Sequence, residues 1–185
     1  MRVVAGQARG RLLQGPPRGA EARPTSDRVR EALFQILEPL TGVVVLDLFA
    51  GTGALGIEAL SRGAAHSTFV ERDRAMLRVL AKNLHDLGLE ARATVVARDV
   101  LDALGGPLAS AAAIDVALAD PPWRTPDLEQ AAVLTAIVPR LAPSGIVAFE
   151  HAARTTPPDV PGLSRTSTRR WGDTAVSFYV LGGAV

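Results

Sequence analysis

The chain has 185 residues, a formal net charge of +1, and 48% hydrophobic against 21% charged residues. This length predicts one domain with a substantial core, and the composition is that of a globular chain rather than a disordered one. The lack of cysteine in the sequence excludes disulfides, thiolate metal sites and cysteine nucleophiles. No apolar run approaches the roughly 18 residues of a membrane span, and the N-terminus lacks a signal-peptide pattern, so we expect a cytoplasmic protein with no membrane partner.

The positive charge is concentrated near the N-terminus. Residues 1–30 contain seven arginines and two acidic residues, a balance of +5, whereas the remainder of the chain has a balance of −4. A basic arm on a mildly acidic body favours a polyanionic partner such as nucleic acid, although a solvated surface would explain the same charges.

The basic arm is predicted to form a small β-hairpin followed by a helix. Two short runs, Arg2–Ala5 and Arg11–Gln14, are separated by an arginine- and glycine-rich stretch, which is typical of a hairpin. Thr25 or Ser26 can cap the helix, and Asp27 falls in its first turn. Apolar spacing at i, i+3, i+4 and i+7 predicts a buried helical face that comprises Val29, Ala32, Leu33, Ile36 and Leu37.

From Val43 onwards the pattern alternates between apolar strand-like runs and segments of helical spacing. The predicted strands are Val43–Phe49, Thr68–Glu71, Ala93–Ala97, Ile114–Ala119 and Ile146–Glu150. The predicted helices are Ala54–Ser61, Arg74–Leu87 and Asp127–Leu141, with a short one after Asp99. Mostly apolar strands are covered on both faces, and repeated strand–helix units require right-handed crossovers. We therefore expect a parallel, doubly wound sheet.

The C-terminal segment differs, because two strand-like runs, Leu163–Trp171 and Thr174–Leu181, are joined by Gly172-Asp173. That arrangement predicts an antiparallel hairpin. A mostly parallel seven-stranded sheet that ends in such a hairpin is the Rossmann-like α/β architecture of the class I methyltransferases. We expect two parts, an N-terminal basic extension (residues 1–40) and one compact methyltransferase domain (residues 41–185).

A glycine-rich turn follows the first predicted strand. Gly51 to Gly56 has the form G-x-G-x-x-G, and Glu71 lies 20 residues after Gly51 at the end of the next strand. This satisfies the dinucleotide-binding fingerprint, in which backbone amides at a helix start face the ligand and the carboxylate accepts from ribose hydroxyls. Any tight strand-to-helix turn favours glycine, so the pattern alone does not choose among nucleoside-bearing ligands.

Asp47 favours a ligand with a positive end. It lies four residues before Gly51, at the mouth of the first strand, where it would repel a pyrophosphate and attract the cationic amino-acid end of S-adenosylmethionine. Asp99, after the third strand, can accept from an adenine amine or can simply cap the next helix. We therefore expect Asp47, Glu71 and Asp99 to end three strands on one edge of the sheet.

The tetrapeptide Asp120-Pro121-Pro122-Trp123 follows the fourth predicted strand. Because the prolines restrict the backbone, Asp120 and the Pro121 carbonyl can both accept from a planar exocyclic amine. Holding both hydrogens would aim the nitrogen lone pair at the sulfonium methyl, while Trp123 stacks on an unpaired base. A proline-rich turn with a core tryptophan is the alternative, but the position directly after an apolar strand favours catalysis.

These motifs resemble the RsmD family of bacterial 16S ribosomal RNA guanine-N2 methyltransferases. The resemblance rests on Asp120–Trp123, Arg23–Phe34, Leu46–Ala64 and Phe69–Glu71, and it covers nearly the whole chain. It implies transfer of a methyl group from S-adenosylmethionine to the N2 amine of one guanine. The implied partner is 16S RNA or the assembled 30S subunit, and a monomer is the default expectation.

The predicted site residues fall into three sets. The base-binding and catalytic set is Asp120, Pro121, Pro122 and Trp123. The cofactor-binding set is Asp47, Gly51, Thr52, Gly53, Glu71, Arg72, Asp99 and Val100. The RNA-binding set is Arg9, Arg11, Arg23, Arg28 and Arg30, and no metal is predicted.

Three alternatives stay open on the sequence alone. The same tetrapeptide would serve an adenine-N6 methyltransferase that acts on DNA or RNA. The glycine pattern would suit an NAD-dependent dehydrogenase, although Asp47 argues against it, and His151 is the histidine near enough to the pocket to leave open as a proton relay. An RNA-binding scaffold without activity would keep the fold but would not need the tetrapeptide.

Overall fold

The computed structural model describes residues 1–17, 27–109 and 113–182, which include one seven-stranded sheet. The strands are β1 (Val44–Leu48), β2 (His66–Glu71), β3 (Ala93–Ala97), β4 (Ile114–Ala119), β5 (Leu141–Ala152), β6 (Leu163–Trp171) and β7 (Thr174–Leu181). The α-helices are α1 (Asp27–Leu37), α2 (Ala54–Ser61), α3 (Arg74–Leu87), α4 (Val100–Gly105) and α5 (Asp127–Ile137). Short 3₁₀ turns at Glu90–Arg92 and Val138–Arg140 precede β3 and β5.

The strand order is β3-β2-β1-β4-β5-β7-β6. The first five strands pair in parallel, whereas β7 runs antiparallel to both β5 and β6. The predicted fold class, a doubly wound and mostly parallel sheet that ends in an antiparallel hairpin, is confirmed. The order in which the chain adds strands to the sheet reverses between β1 and β4, which is the point where an open sheet of this kind binds its ligand.

Hydrophobic side chains cover both faces of the sheet. Neighbours along a strand point to opposite faces, and Val45 and Leu46 accordingly enter two different buried clusters. One cluster gathers side chains from α1, α2, α3 and the N-terminal arm, and the other gathers side chains from α4 and α5. The N-terminal arm is therefore packed into the same core as the central strands.

Several element boundaries differ from the prediction. The fifth helix ends at Ile137 instead of Leu141, and β5 begins at Leu141 instead of Ile146. Pro139 lies in the intervening 3₁₀ turn, where it cannot donate a helical hydrogen bond. The Arg140 side chain donates to the carbonyls of Leu104, Leu108 and Ala136, so it satisfies groups that the ends of α4 and α5 leave unpaired. The second strand also starts earlier than predicted, at His66.

The predicted N-terminal hairpin is present as a single antiparallel bridge between Arg2 and Leu12. Its turn is held by the Val3 amide, which donates to the Arg11 carbonyl at 3.0 Å, and by the Leu13 amide, which donates to the Met1 carbonyl at 3.0 Å. The side chains of Val3 and Leu13 are buried. Burial of these two side chains fixes the hairpin to the body of the protein.

The buried face of α1 is rotated relative to the prediction. Val29, Leu33 and Leu37 are buried as predicted, but Ile36 is 43% exposed and Ala32 is only half-buried. Arg30 and Phe34 take their place in the buried stripe, together with the three confirmed residues. The proposed helix caps, Thr25 and Ser26, lie outside the described residues. None of the described helices is both long and apolar enough to cross a membrane.

Candidate active site

The turn after β1 has an unusual backbone, with three residues in the left-handed region. Phe49, Gly51 and Gly53 all have positive φ angles, of 61°, 55° and 84°. A Cβ atom on Gly53 would lie 2.3 Å from Leu80 Cδ1, so both the backbone angle and the packing require glycine there. Gly53 is the N-cap residue of α2 and offers no side chain to cap the helix. The first backbone amides of α2 are therefore not bound by a side chain of the N-cap residue.

Asp47 lies beneath this turn rather than at an open strand mouth. Its side chain is 1% exposed, and its Oδ2 accepts a hydrogen bond from the Gly56 amide at 2.8 Å. Burial raises the pKa of Asp47 from 3.8 to about 7; the Gly56 bond opposes the shift, and the nearby carboxylates of Asp120 and Glu71 add to it. The end of β1 is thus a place where negative charge is crowded and where a cation would be favoured.

Glu71 connects the end of β2 to the glycine turn. Its Oε2 accepts from the Gly51 amide at 2.8 Å. Its Oε1 accepts from the amides of Arg72 at 2.8 Å and Asp73 at 2.7 Å. Asp73 in turn caps α3. The predicted proximity of Glu71 to the glycine turn is therefore present, and the carboxylate fixes that turn in place.

Asp99 serves as the cap of α4, the alternative that its sequence position allowed. Its Oδ1 accepts from the Leu101 amide at 3.0 Å. Its Oδ2 also pairs with the exposed guanidinium of Arg72, with 2.9 Å between Arg72 Nη1 and Asp99 Oδ2. Val100, the first residue of α4, is buried. The structure therefore brings Arg72 and Asp99 together across the ends of β2 and β3.

The tetrapeptide begins where β4 ends. The Asp120 amide lies 3.5 Å from the Leu48 carbonyl, which places Asp120 beside the end of β1. Pro121 is buried, whereas Pro122 is exposed and accepts from the Thr125 amide at 2.8 Å. Trp123 is 40% exposed, so the indole is not a core side chain. Because β1 and β4 are parallel neighbours, the tetrapeptide after β4 and the glycine turn after β1 lie at the same edge of the sheet.

Asn83 is a residue of this region that the sequence analysis missed. Its Nδ2 donates to the Thr52 carbonyl at 2.9 Å and to the Gln14 carbonyl at 3.1 Å. Its Oδ1 accepts from the Gln14 amide at 2.8 Å. One buried amide thus joins α3, the glycine turn and the N-terminal arm. The available signal was its place on the apolar face of α3, one position before the buried Leu84.

Arg30 lies in a buried ionic cluster, which corrects its assignment to the RNA-binding set. Its side chain is 0% exposed, pairs with Asp27 at 2.9 Å and lies 3.6 Å from Glu58 Oε2. Glu58 also accepts from Arg62 Nε at 2.8 Å. A guanidinium with no exposed surface cannot reach an RNA molecule, so Arg30 acts inside the protein.

His151 is engaged between the strands β5 and β7. Its Nε2 lies 2.9 Å from Ser177 Oγ, and its Nδ1 lies 3.0 Å from the Ala152 carbonyl oxygen. Burial lowers the pKa of His151. Both ring nitrogens are occupied by neighbours on the strands, so the structure gives no support to a proton relay for a dehydrogenase. Within residues 1–17, 27–109 and 113–182, no group of three or more acidic or histidine side chains is arranged to hold a metal ion.

Comparison with known proteins decides the family. A family model described as Conserved hypothetical protein 95 matches residues 1–180. The chain belongs to this family. Ribosomal RNA small subunit methyltransferase D of Escherichia coli strain K12 is 39% identical over 162 residues, covering 87% of this chain and 79% of that protein. The enzyme of the same name from Haemophilus influenzae is 40% identical over 153 residues, covering 81% and 78%.

A solved structure has the same fold. The chain of a hypothetical protein from Thermus thermophilus is 32% identical, has a TM-score of 0.81, and covers 98% of this chain and 99% of that one. Family and fold therefore agree over almost the whole length. The predicted resemblance to the RsmD family is confirmed.

Proposed function

We propose that this protein transfers a methyl group from S-adenosylmethionine to the exocyclic N2 amine of one guanine in 16S ribosomal RNA. The observation that carries the proposal is the position of Asp120 at the end of β4, beside the glycine turn and close enough to Asp47 to raise its pKa. A group that can hold an amine thus lies next to a turn that suits a nucleoside-bearing ligand. The relatives named above are ribosomal RNA methyltransferases, which supports the same reaction class.

The acidic edge of the sheet suits the charge of S-adenosylmethionine, which when bound supplies the electrophilic methyl group. We expect the ammonium group of its amino-acid end to be attracted to the region of Asp47, where the carboxylates of Asp120 and Glu71 oppose the ionisation of Asp47. The amides of Gly51 and Gly53 and the carboxylate of Glu71 are proposed contacts for the nucleoside end. A pyrophosphate would add negative charge to this edge, so the geometry favours S-adenosylmethionine over NAD.

The tetrapeptide supplies what an amine nucleophile needs. Asp120 and the Pro121 carbonyl would accept both hydrogens of the guanine amine and hold its nitrogen toward the methyl group. Asp120 or water can take the proton that the amine loses after transfer. Trp123 is exposed enough to stack on a base that has left its helix. The same atoms could hold an adenine amine, so the base specificity is a prediction to be measured.

The N-terminal arm is the proposed RNA contact region. Arg9, Arg11 and Arg28 are exposed, and Arg11 Nη2 donates to the Asp86 carbonyl at 2.7 Å. Arg23, the remaining predicted contact, lies outside the described residues. We propose that the enzyme acts as a monomer in the bacterial cytoplasm, on 16S RNA or on the assembled 30S subunit, where ribosomal protein and RNA around the target can add to the affinity of a small basic arm.

The test is to replace Asp120 with alanine and measure binding and turnover separately. We expect Asp120→Ala to bind S-adenosylmethionine, measured by calorimetry, but to lose methylation of unmodified 16S RNA and 30S subunits by roughly 100-fold or more, the loss typical of one catalytic group. Asp127→Ala is the matched control, because Asp127 is an exposed carboxylate on the first turn of α5.

Product analysis identifies the base. Digestion of the methylated RNA to nucleosides should give N2-methylguanosine, whereas N6-methyladenosine would establish the adenine alternative. Full activity of Asp120→Ala would refute the assignment of the catalytic residue.

A further inference from the structure

Two adjoining cavities lie between the N-terminal arm, α1 and the C-terminal hairpin. One, of about 400 Å³, is lined by Arg28 at the start of α1 and by Arg170 and Trp171 at the end of β6. The other, of about 390 Å³, is lined by Arg2 and Arg9 of the arm and again by Arg28. Arg28 lines both cavities, and we call the two together the arginine groove.

The sheet topology places one end of this groove near the edge of the sheet that carries the tetrapeptide Asp120–Trp123. Strand β7 runs antiparallel to β5, with Thr174 opposite Ala152, so the β6–β7 turn lies at the carboxyl end of β5. The Ala153 amide donates to the Asp173 carbonyl at 2.8 Å, which fixes the turn there. Strands β4 and β5 are parallel neighbours, and β4 leads directly into Asp120. Arg170 therefore lies toward the edge of the sheet that carries the tetrapeptide.

The groove is basic, and its acidic wall residues offset only part of that charge. Its acidic residues are Asp27 and Glu31, and the Asp27 carboxylate is already paired with Arg30. Among the ion pairs formed within the described ranges, none includes the four groove arginines, which are Arg2, Arg9, Arg28 and Arg170. These four side chains are exposed. Several guanidinium groups around one depression suit a polymer of phosphates, because guanidinium binds phosphate oxygens in a bidentate manner.

Trp171 gives the groove a fixed wall. It is partly buried and packs against the cluster that contains the N-terminal arm and the central strands. It also pairs with Thr174 across the hairpin. The C-terminal hairpin is thus held against the body of the protein, so Arg170 is presented from a strand rather than from a loose loop.

We propose that the arginine groove binds the phosphodiester backbone of the substrate RNA beside the nucleotide presented to Asp120, and that Arg170 of the C-terminal hairpin is one of its contacts. The inference rests on the proposed function, since it extends the proposed RNA-binding surface from the N-terminal arm to β6, the outermost strand of the C-terminal hairpin. It adds a residue from the opposite end of the chain to a role that the sequence analysis gave only to residues 9–30.

The chain provides a matched control for Arg170. Arg169 precedes it on β6, is also exposed, and does not line either cavity. Consecutive residues of a strand point to opposite faces of the sheet, so the two arginines face opposite ways. Arg169→Ala and Arg170→Ala remove the same charge from the same strand, but only the second removes it from the groove.

The experiment measures binding of fluorescently labelled 16S transcript, and of 30S subunits reconstituted from it, to the full-length protein by anisotropy over a range of salt concentrations. We expect Arg170→Ala to weaken binding about 3- to 5-fold and Arg28→Ala with Arg170→Ala about 10-fold or more. The slope of log affinity against log salt should fall by about 0.7 to 0.9 for each phosphate that is no longer neutralised. S-adenosylmethionine affinity should be unchanged, and Arg169→Ala should bind RNA like the parent protein.

The outcomes separate the two proposals. Equal effects of Arg169→Ala and Arg170→Ala, or no effect of either while the parent protein binds RNA, would overturn the groove and leave the proposed function standing. A parent protein that binds neither RNA nor 30S subunits would overturn both.

Discussion

Replacement of Asn83 tests how the glycine turn is held in place. Asn83 is 1% exposed and makes three hydrogen bonds, two to Gln14 and one to the Thr52 carbonyl. A hydrogen bond contributes about 0.5–1.5 kcal/mol net, so Asn83→Ala should lower the free energy of unfolding by about 3 kcal/mol. For a chain of this size that corresponds to a decrease in Tm of roughly 6–12 °C. Urea unfolding and calorimetric unfolding measure both quantities.

The same substitution should also weaken cofactor binding. Without the Asn83 donor the Thr52 carbonyl is no longer held against α3, and the glycine turn becomes free to move. We expect the affinity for S-adenosylmethionine, measured well below the Tm, to fall severalfold. Lys82→Ala is the control, because Lys82 is an exposed neighbour that pairs with Asp86 on the next turn, and its replacement should cost less than about 0.5 kcal/mol. An Asn83→Ala protein that unfolds and binds cofactor like the Lys82 variant would refute the reasoning.

Two further predictions concern buried carboxylates. Glu58→Ala should lower the free energy of unfolding in urea by about 3–5 kcal/mol, because it removes one of the two carboxylates beside the buried Arg30 and an acceptor of the Arg62 guanidinium. Glu58→Gln should cost less, since it keeps an oxygen that can accept from one of the Val4 and Ala5 amides; equal losses would contradict this. For Asp47, a folded-state pKa of about 7 against 3.8 means that the folded state holds the proton more tightly. The contribution of Asp47 to the free energy of unfolding is therefore greatest below pH 4, falls as the pH rises to 7 and is constant above pH 7. The stability advantage of Asp47→Asn over the parent protein should therefore grow between pH 4 and pH 7, to about 4 kcal/mol at most. An equal difference in the free energy of unfolding between the two proteins at pH 5 and at pH 8 would contradict the assignment.

The sheet was predictable because its signals are local. Apolar runs, glycine turns and the Gly172-Asp173 hairpin each specify their own element, and the parallel order follows from crossover rules. The burial of Arg30 was not predictable in this way. Its partner Glu58 lies 28 residues further along the chain, on another helix, and an arginine beside other arginines in sequence suggests a solvated surface. Only the tertiary contact shows that Arg30 belongs to the core.

The site shows the same division between local and distant information. The positions of Asp47, Glu71 and Asp120 at one edge of the sheet could be predicted because each residue lies near the end of a strand. In the structure those three strands are parallel neighbours. The depth of Asp47 does not follow, because it depends on the Gly56 amide that folds over it nine residues later. A side chain that acts on the site by holding backbone groups, as Asn83 does, carries no motif of its own.

Helix α2 connects the N-terminal arm to the glycine turn. Its first turn follows Gly53 of the glycine turn, and its last turn carries Glu58 and Ser61, which hold the arm. The fit is close at Gly6, where a Cβ atom would lie 1.9 Å from the Ser61 carbonyl oxygen. A helix of eight residues is about 12 Å long, so the arm and the glycine turn are two ends of one short rigid element. An RNA molecule bound by the arm, as proposed above, would therefore lie at a fixed distance from the glycine turn, which is the condition that methyl transfer to a single base requires.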